Sequence, residues 1–415
     1  MEANGESHIA VAEIVCTACS CLCDDIRVEL EGNGIAGIEN ACLKGAAFLR
    51  AIADPRRRSP CLVAGREVAF EQSLEEAGRL LRAANNPLIF GLDNSTLEAQ
   101  AVGIELARSL GAVLDDTSSV CQGTLVEHIL SGAIPSCTLA EAKDYSDLMI
   151  YWGSNAHHSH PRHLSRYTYY SRDRYREAGW MPQVTMACVE VRDTETSSLC
   201  YPCIRLEPGG DRGFIEGLLA TLRGRGEVGK ELAQQLKTAS FCVIFAGLGL
   251  TYALDNDFSP LIELVSQIGR SARVAVIPMV GHFNMRGLNQ SLFQATGCVN
   301  RVSFANGVGH GEQFSLLGQV RDRAADCLLV VGSDPLSNLP QEVMANLAGV
   351  PIICLDPFPT ATTRAAAVVL GTAASGIEVG GHAIRMDGVE VELRPARAAG
   401  FPSDEEVLNR LLAGA

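Results

Sequence analysis

The sequence predicts an α/β protein built around parallel sheets. Apolar runs within PLIFGLDN, LMIYWGSN, VIFAGLGL and LLVVGSDP each close on a glycine. Helical patterns such as EQSLEEAGRLLRAANN and STLEAQAVGIELARSLG precede strand-like segments. Continuous apolar strands with intervening helices are typical of parallel sheets that are covered on both faces. Ligands bind at the carboxyl ends of such strands, where glycine lets them approach the backbone. Gly91, Gly153, Gly247 and Gly332 together therefore predict a shared cleft, although each glycine alone is better explained by a turn.

The two ends of the chain have a different pattern. IRVELEGNGIAGIEN alternates around a Gly-Asn-Gly turn, and GGHAIRMDGVEVELRP also reads as a hairpin. In PGGDRGF we expect a helix start with Asp211 as its N-cap.

These changes of pattern along the chain predict its domains. We predict a Cys-rich β subdomain over 1–65 and a first α/β domain over 66–205, to which the chain returns at about 326–415. The second α/β domain covers 206–325.

Composition excludes two classes of partner. The 415 residues include 34 Lys+Arg and 48 Asp+Glu, so the net charge is 34 − 48 = −14. An acidic chain repels phosphate backbones, which argues against nucleic acid. We find neither a membrane-length apolar run nor an apolar signal segment after Met1, so we expect a cytoplasmic protein without a membrane partner.

Cysteine spacing gives the strongest chemical signal. Of 15 cysteines, Cys16, Cys19 and Cys23 share a short loop, and Cys42 follows beyond the predicted hairpin. Four such thiolates can hold an iron–sulfur cluster or a structural zinc ion. The spacing favours [4Fe-4S], because zinc ribbons usually pair two C-x-x-C knuckles, but an empty vestigial site stays open. We expect Cys21 to be outside the ligand set.

Three further motifs are weaker. Cys121, in TSSVCQG after a strand-like segment, is either a nucleophile or soft-metal ligand, or a buried structural thiol. The cluster His157, His158, His160 and His163 resembles a metal site, but it has no carboxylate nearby and solvated histidines are commoner. Cys200-x-x-Cys203 lacks the helix start of a thioredoxin-like motif.

The order of these motifs resembles a known family. CTACSCLCDDI, NACLKGAAF, SVCQGT, SDLMIYWGSNAHHSHPRHLSRY, IPMVGHFNMRGLNQ, GSDPLSNLPQ and GGHAIRMDGV together look like the B subunit of formylmethanofuran dehydrogenase. The resemblance covers essentially the whole chain. It implies a molybdopterin-oxidoreductase-like fold of intertwined, doubly wound parallel sheets. It also implies that the chain lacks the C-terminal β-barrel of single-chain relatives.

The resemblance also implies cofactors and site residues. Cys16, Cys19, Cys23 and Cys42 would hold a [4Fe-4S] cluster, and Cys121 would ligate molybdenum or tungsten in a bis-molybdopterin guanine dinucleotide centre. We expect catalytic positions at Cys121, Gln122, His282 and Asn284. We expect cofactor-binding positions at Gly153, Asn155, Arg192 and Asp334.

Three positions depart from the family pattern. Gln122 replaces the family's histidine, Val280 replaces its arginine, and Glu190-Val191-Arg192 replaces a pterin-contacting Asp-Pro-Arg. Losing a cation beside a carboxylate substrate removes electrostatic stabilisation. These departures favour a redox-degenerate scaffold subunit of a bacterial formyltransferase/hydrolase complex. The alternative is an active dehydrogenase subunit, which the retained cysteines favour.

The resemblance finally implies the partners. They are an amidohydrolase-like A subunit, a C-type subunit and a formyltransferase-type D subunit. Through the complex, a methanofuran-type carrier would supply the one-carbon unit. Another molybdopterin oxidoreductase, or an interaction protein on an unrelated α/β fold, would fit the motifs less well.

Overall fold

The computed structural model describes residues 9–32, 34–171 and 184–414. They form two compact units. The first unit contains the chain up to Ser119, His282–Arg385 and the chain from Glu390 onward. The second contains Val120–Gly281 and Met386–Val389. Strands and helices are numbered below along the whole chain.

The first unit is organised around a large mixed sheet. The strands of the first unit, in this sheet and in two smaller ones, are β1 (Ile9–Ile14), β2 (Ile26–Glu31), β3 (Gly34–Glu39), β4 (Leu62–Val63), β5 (Arg66–Glu67), β6 (Pro87–Gly91), β7 (Val113–Asp115), β13 (Val302–Ser303), β14 (Gly309–His310), β15 (Cys327–Val331), β16 (Ile352–Leu355), β17 (Val368–Leu370), β18 (Gly381–Ile384) and β19 (Glu390–Leu393). Its helices are α1 (Leu43–Ala53), α2 (Phe70–Ala83), α3 (Leu97–Leu110), α12 (Met285–Thr296), α13 (Leu316–Arg321), α14 (Gln341–Met344), α15 (Ala361–Ala365) and α16 (Asp404–Leu412).

Strand order in this sheet is β14-β13-β7-β6-β15-β16-β17-β4-β5. The central strands β7, β6, β15, β16 and β17 are parallel, and the short edge strands are antiparallel. Alternate residues of β6 and β15 pack into separate apolar clusters: Ile89 and Leu329 into one, Leu88 and Leu328 into the other. Both faces are therefore buried, as an uninterrupted apolar strand requires.

Two small antiparallel elements complete the first unit. Strands β1, β2 and β3 form a meander, and β18 pairs with β19. Val15, Leu22, Phe283, Ala383 and Leu393 pack together in one cluster that joins residues from both elements. Both hairpins predicted from the sequence are confirmed.

The second unit is a five-stranded parallel sheet with helices. Its strands are β8 (Leu148–Trp152), β9 (Thr185–Glu190), β10 (Cys203–Arg205), β11 (Phe241–Ala246) and β12 (Arg273–Pro278). Its helices, as far as the chain is described, are α4 (Gly123–Leu130), α5 (Leu139–Tyr145), α6 (Ala156–Ser159), α7 (His163–Arg166), α8 (Asp211–Leu222), α9 (Lys230–Thr238), α10 (Leu248–Ala253) and α11 (Ser259–Ile268). The order is β10-β9-β8-β11-β12, and every neighbouring pair is parallel.

The four glycine-closed strands of the sequence analysis are confirmed as parallel strands β6, β8, β11 and β15. They fall into two neighbouring pairs, β6 with β15 in the first unit and β8 with β11 in the second. The predicted domain boundaries at 205 and 325 differ from these units. Strands β8 and β9 belong to one sheet with β11 and β12 and are not in the sheet that contains β6. The boundaries differ because hydrophobic periodicity identifies strands but does not show which strands pair.

Asp211 has a different role from the one predicted. Helix α8 begins at Asp211, and Gly210 occupies the N-cap position. The carboxylate of Asp211 instead accepts a hydrogen bond from the indole Nε1 of Trp152 at 2.7 Å. The N-cap prediction was wrong, because a buried indole N–H in a neighbouring strand takes the carboxylate.

Candidate functional site

The first unit brings the predicted cluster cysteines to one loop. Cys16, Cys19 and Cys23 lie between β1 and β2, where the backbone N–H of Cys16 donates to the carbonyl of Cys23 at 2.9 Å. Leu22 adopts a left-handed φ of 40° and so tightens the turn. Cys42 is the N-cap of α1, and its Sγ accepts a hydrogen bond from the N–H of Gly45 at 3.4 Å.

Gly45 leaves space for two of these sulfurs. A Cβ at this position would lie 3.0 Å from the Sγ of Cys16 and 3.7 Å from the Sγ of Cys42. Any side chain here would press on the sulfur of Cys16. The absence of a Cβ therefore brings α1 close to the cysteine loop.

Burial and neighbouring charges separate the thiols chemically. Burial, and then the proximity of Cys19, Cys23 and Cys42, raises the pKa of Cys16 to about 12. A hydrogen bond from Cys21, together with the charge of Lys44, lowers the pKa of Cys19 to about 7 despite burial. Cys19 therefore forms a thiolate more readily than Cys16.

All four cysteines are free thiols, and Cys16, Cys19 and Cys23 are buried. Within the described ranges, no three His, Cys, Asp or Glu side chains converge closely enough to hold one metal ion.

His282 and Asp93 form a pair that the sequence analysis found only in part. Asp93 follows strand β6 and is fully buried, and its Oδ2 lies 2.7 Å from Nδ1 of His282. The hydroxyl of Thr117 contacts both side chains. Burial would lower the pKa of His282, but the charge and hydrogen bond of Asp93 raise it above its ordinary value. The His282 side chain is 37% exposed, so its ring remains accessible.

Two further buried carboxylates lie at the end of strand β7: Asp115 is its last residue, and Asp116 follows it. Asp115 accepts hydrogen bonds from the N–H groups of Leu316 and Arg301. Burial, followed by repulsion from Asp93 and Asp115, raises the pKa of Asp116 well above its ordinary value. Asp93 and Asp116 were missed by the sequence analysis, although each closely follows an apolar strand.

Asn284 and Asp334 are held by their own chain. The amide of Asn284 is fully buried, accepts from the N–H of Ile384 and donates to the carbonyl of Ser95, each at 2.8 Å. One carboxylate oxygen of Asp334 accepts from the N–H and the hydroxyl of Thr362 at the start of α15. Burial would raise the pKa of Asp334, but the hydrogen bond from Ser337 and then those from Thr362 lower it.

In the second unit, Cys121 immediately precedes a buried glutamine. Cys121 is half-buried just before α4. Gln122 is fully buried; its amide donates to the carbonyl of Ala246 at 3.2 Å and accepts from the hydroxyl of Thr251 at 3.0 Å. The side chain of Gln122 therefore joins α4 to the carboxyl end of β11.

A cavity of about 270 Å³ lies at the carboxyl ends of the second unit's strands. Gly153, Glu190, Asp211 and Gly249 are among its lining residues. Gly153 has a left-handed φ of 58°, and a Cβ there would collide with the backbone of Gly249 and Leu250. Burial is the main cause that raises the pKa of Glu190. Glycine thus brings backbone groups to this cavity, beside two carboxylates.

Comparison with known proteins identifies the family. No protein-family model matches the chain. The chain is 33% identical to the B subunit of tungsten-containing formylmethanofuran dehydrogenase 2 from Methanocaldococcus jannaschii, over 97% of this chain and 98% of that protein. It belongs to the family of formylmethanofuran dehydrogenase B subunits. The protein of the same name from Methanococcus maripaludis is also 33% identical, over 96% of this chain and 97% of that protein.

Solved structures share the fold at lower identity. The formyltransferase/hydrolase complex of Methylorubrum extorquens, solved with methylofuran, contains a chain with a TM-score of 0.68 and 21% identity. That match covers 85% of this chain and 98% of the other. Acetylene hydratase of Pelobacter acetylenicus has a TM-score of 0.70 and 13% identity, over 97% of this chain and 69% of the other. This member of the formylmethanofuran dehydrogenase family thus shares its fold with both solved proteins.

The other predicted pterin-contacting residues of this family member follow strands β8 and β9. Asn155 donates to the carboxylate of Glu195 at 2.7 Å and accepts from the hydroxyl of Thr196 at 2.9 Å. Arg192 is exposed two residues after Glu190 ends β9. Asn155 lies two residues after Gly153, beyond the carboxyl end of β8, and Arg192 lies beyond the carboxyl end of the neighbouring strand β9.

The histidine cluster divides into exposed and buried members. His157 and His158 are exposed, whereas Nε2 of His160 contacts the carbonyl of Val280 at 2.7 Å. His163 is fully buried beside aromatic rings, and burial lowers its pKa to about 3. These four side chains do not form a metal site among the described residues.

The helices of the described ranges include none of the length and apolarity that a membrane crossing needs.

Proposed function

We propose that this chain is the cofactor-carrying B subunit of a formylmethanofuran dehydrogenase-type complex. It would work in one-carbon metabolism, where formyl groups and formate are interconverted on a methanofuran-type carrier. The observation that carries this proposal is the cysteine site at Gly45, where a Cβ would lie 3.0 Å from the Sγ of Cys16 and 3.7 Å from the Sγ of Cys42. A subunit that served only as a scaffold would not need this clearance beside two free thiols.

The cluster site belongs to the first unit. Cys16, Cys19, Cys23 and Cys42 would hold a [4Fe-4S] cluster, which supplies one-electron transfer when bound. Lys44 places a positive charge near Cys19, and this charge offsets part of the negative charge of four thiolates. The chain's role at this site is to hold the thiols and exclude water.

The second unit offers the residues for a metal–pterin centre. Cys121 would provide a thiolate ligand, and the cavity beside Gly153 and Glu190 would take a nucleotide portion. A carboxylate such as Glu190 accepts the N–H groups of a guanine base, which matches the donor pattern of a guanine dinucleotide. Bound molybdenum or tungsten supplies two-electron chemistry between carbon dioxide and formate. The 33% identity to tungsten-containing relatives supports this assignment.

His282 would handle the proton. Formate oxidation releases one proton with two electrons, so it needs a base near the reacting carbon. Asp93 fixes the imidazole through Nδ1 and favours its protonated form, leaving Nε2 to receive or return the proton. Asn284 and Gln122, whose amides are occupied by backbone and hydroxyl groups, would act as positioning residues.

A second candidate function is the scaffold subunit of a formyltransferase/hydrolase complex. Gln122 and Val280 favour it, because the family has a histidine and an arginine there. Val280 is fully buried and places no charge near a substrate. The sequence analysis preferred this candidate, but the geometry of the cysteine site favours the cofactor-carrying subunit.

Both candidates place the chain in a multi-subunit complex in the cytoplasm. The partners would be an amidohydrolase-like A subunit, a C-type subunit and a formyltransferase-type D subunit. The solved complex from Methylorubrum extorquens supports the association with hydrolase and formyltransferase subunits. The acidic net charge supports the absence of nucleic acid from the partner set.

Viologen-linked formate oxidation by the anaerobically purified complex tests the proposal. We expect activity in the wild type and its loss in Cys121→Ser. Cys61→Ser, which changes a half-buried thiol outside the proposed sites, is the matched control and should keep the activity. If the wild type does not oxidise formate while the complex still hydrolyses a formylated carrier, the scaffold candidate replaces this proposal.

A further inference from the structure

Three cysteines converge at one edge of the second unit's sheet. Cys188 in β9 is directly opposite Cys203 in the edge strand β10. Their Sγ atoms are 2.8 Å apart. Cys200, in the turn before β10, also contacts the thiol of Cys188. The closest pair is therefore not the one within the sequence motif Cys200-x-x-Cys203 but one that joins neighbouring strands.

The distance between Cys188 and Cys203 is close to that of a bond. A disulfide has its sulfurs about 2.0 Å apart, so a small side-chain adjustment closes the gap. Directly opposite residues on neighbouring strands also have Cα atoms at the spacing that disulfides require. The covalent link therefore needs little backbone movement.

Exposure distinguishes the two thiols. Cys203 is exposed on the edge strand, whereas Cys188 is fully buried and Cys200 is 9% exposed. An oxidant in solution can thus reach Cys203 first. Cys188 then lies in position to attack the modified sulfur from inside the sheet.

We propose that Cys188 and Cys203 form a reversible disulfide with a small-molecule disulfide as oxidant. The thiolate of Cys203 attacks that disulfide, forms a mixed disulfide and releases one thiolate. Cys188, after losing its proton, attacks the sulfur of Cys203 and releases the second thiolate. The two protein thiols lose two protons and two electrons, and the small disulfide is reduced to two thiols.

Both cysteines are free thiols in the structure, and their pKa values bear on how fast they react. Burial, and then the hydrogen bond and charge of Cys188, raises the pKa of Cys203 to about 12. Arg205 opposes this shift, while Asp193 reinforces it. The hydrogen bond with Cys200, burial and the charge of Glu190 raise the pKa of Cys188. A protonated thiol is a poor nucleophile, so the disulfide forms slowly at neutral pH.

The disulfide would stiffen one wall of the cavity. Glu190 lies two residues after Cys188, and Leu206 lies three residues after Cys203; both line the cavity. A covalent link between β9 and β10 fixes the two chain segments that carry them. Oxidation would therefore change how readily this cavity opens, whichever ligand it holds.

Peptide mapping of the intact complex tests the proposal. The anaerobically purified complex is incubated with oxidised glutathione, free thiols are blocked, and the digest is analysed by mass spectrometry. We expect a peptide pair linked through Cys188 and Cys203 in the wild type and in the control Cys200→Ser. Cys203→Ser should lose this pair, and Cys188→Ser should retain glutathione on Cys203.

Three results would overturn the proposal. They are a main linkage that includes Cys200, glutathione retained on Cys203 in the wild type, or no modification at either thiol after prolonged incubation. Hydrogen exchange tests the effect on the cavity. Exchange over 188–206 should slow on oxidation in the wild type but not in Cys203→Ser, and equal rates in both would overturn the link to the cavity.

Discussion

Asp93 and His282 form a hydrogen-bonded pair at the end of strand β6, with Oδ2 and Nδ1 2.7 Å apart. Asp93 is fully buried, whereas the His282 ring is partly exposed. A buried acceptor at one ring nitrogen fixes both the tautomer and the orientation of the imidazole. Asp93 therefore holds the partly exposed imidazole of His282 in one orientation.

The pKa of His282 should fall in Asp93→Asn. Burial alone lowers this pKa, and the charge and hydrogen bond of Asp93 reverse that effect. Without the charge, the pKa should fall below the ordinary value of about 6.5. NMR titration of the imidazole measures this change. His382, whose pKa is raised by Glu98, is the internal control and should not shift. An unchanged His282 titration would contradict the pairing.

The same pair should make the free energy of unfolding depend on pH. A raised histidine pKa stabilises the fold fully below the unfolded pKa, and this stabilisation is lost as pH rises through the folded pKa. The difference in unfolding free energy between wild type and Asp93→Asn should therefore be largest in acid and shrink towards alkaline pH. Denaturant unfolding at several pH values measures it. A difference that grows with pH would have the wrong sign.

Gly45→Ala should reduce iron incorporation several-fold. The new Cβ would press on the sulfur of Cys16, although alanine is about 1 kcal/mol better than glycine inside a helix. The matched control is Gly213→Ala, at the same third position of helix α8, where a Cβ meets open space. Iron and labile sulfide per chain after anaerobic reconstitution give the result. Equal iron in both variants would show that the clearance at Gly45 has no role.

Cys42→Ser should abolish the cluster, whereas Cys21→Ser should keep it. Serine at position 42 retains an N-cap oxygen for α1, so the helix survives while one cluster thiolate is lost. Cys21 belongs to the same loop and is also buried, which makes it a close control. Absorbance near 400 nm that dithionite bleaches reports the cluster. A bleachable spectrum in Cys42→Ser, or its loss in Cys21→Ser, would change the ligand assignment.

Asp334→Ala should destabilise the cofactor-free chain by about 1–2 kcal/mol, because Asp334 accepts hydrogen bonds at the start of α15. Since these bonds lower the pKa of Asp334, their contribution is lost as pH falls through that pKa. Asp322→Ala, which breaks an exposed pair with Arg321, should leave stability unchanged. Unfolding by urea compares the variants. Equal stability in Asp334→Ala and wild type would leave Asp334 free for a cofactor.

Much of the architecture could be predicted because apolar runs and turn glycines are local signals. The strands that close on Gly91, Gly153, Gly247 and Gly332 are all present, as are both hairpins. Strand pairing could not be predicted, because it depends on contacts between distant segments. The boundary at 205 therefore separated β8 from β11, which are neighbours in one sheet.

The candidate site was predictable where residue spacing is short. Cys16, Cys19 and Cys23 lie within eight residues, so their convergence follows from the loop itself. Asp93 and His282 lie 189 positions apart, and only the fold brings them into contact. Gln122 and Asn284 could be located from their motifs. Their hydrogen bonds within the protein could not be predicted, because a motif does not show which groups a side chain contacts.

Metal analysis of the anaerobically purified complex tests the central claim most directly. Tungsten, molybdenum, iron and zinc are measured per copy of this chain, with the Cys121→Ser complex as control. We predict about one tungsten or molybdenum and at least four iron atoms per chain, with the tungsten or molybdenum lost in the control. A complex with neither tungsten nor molybdenum would contradict the account and leave this chain as a scaffold.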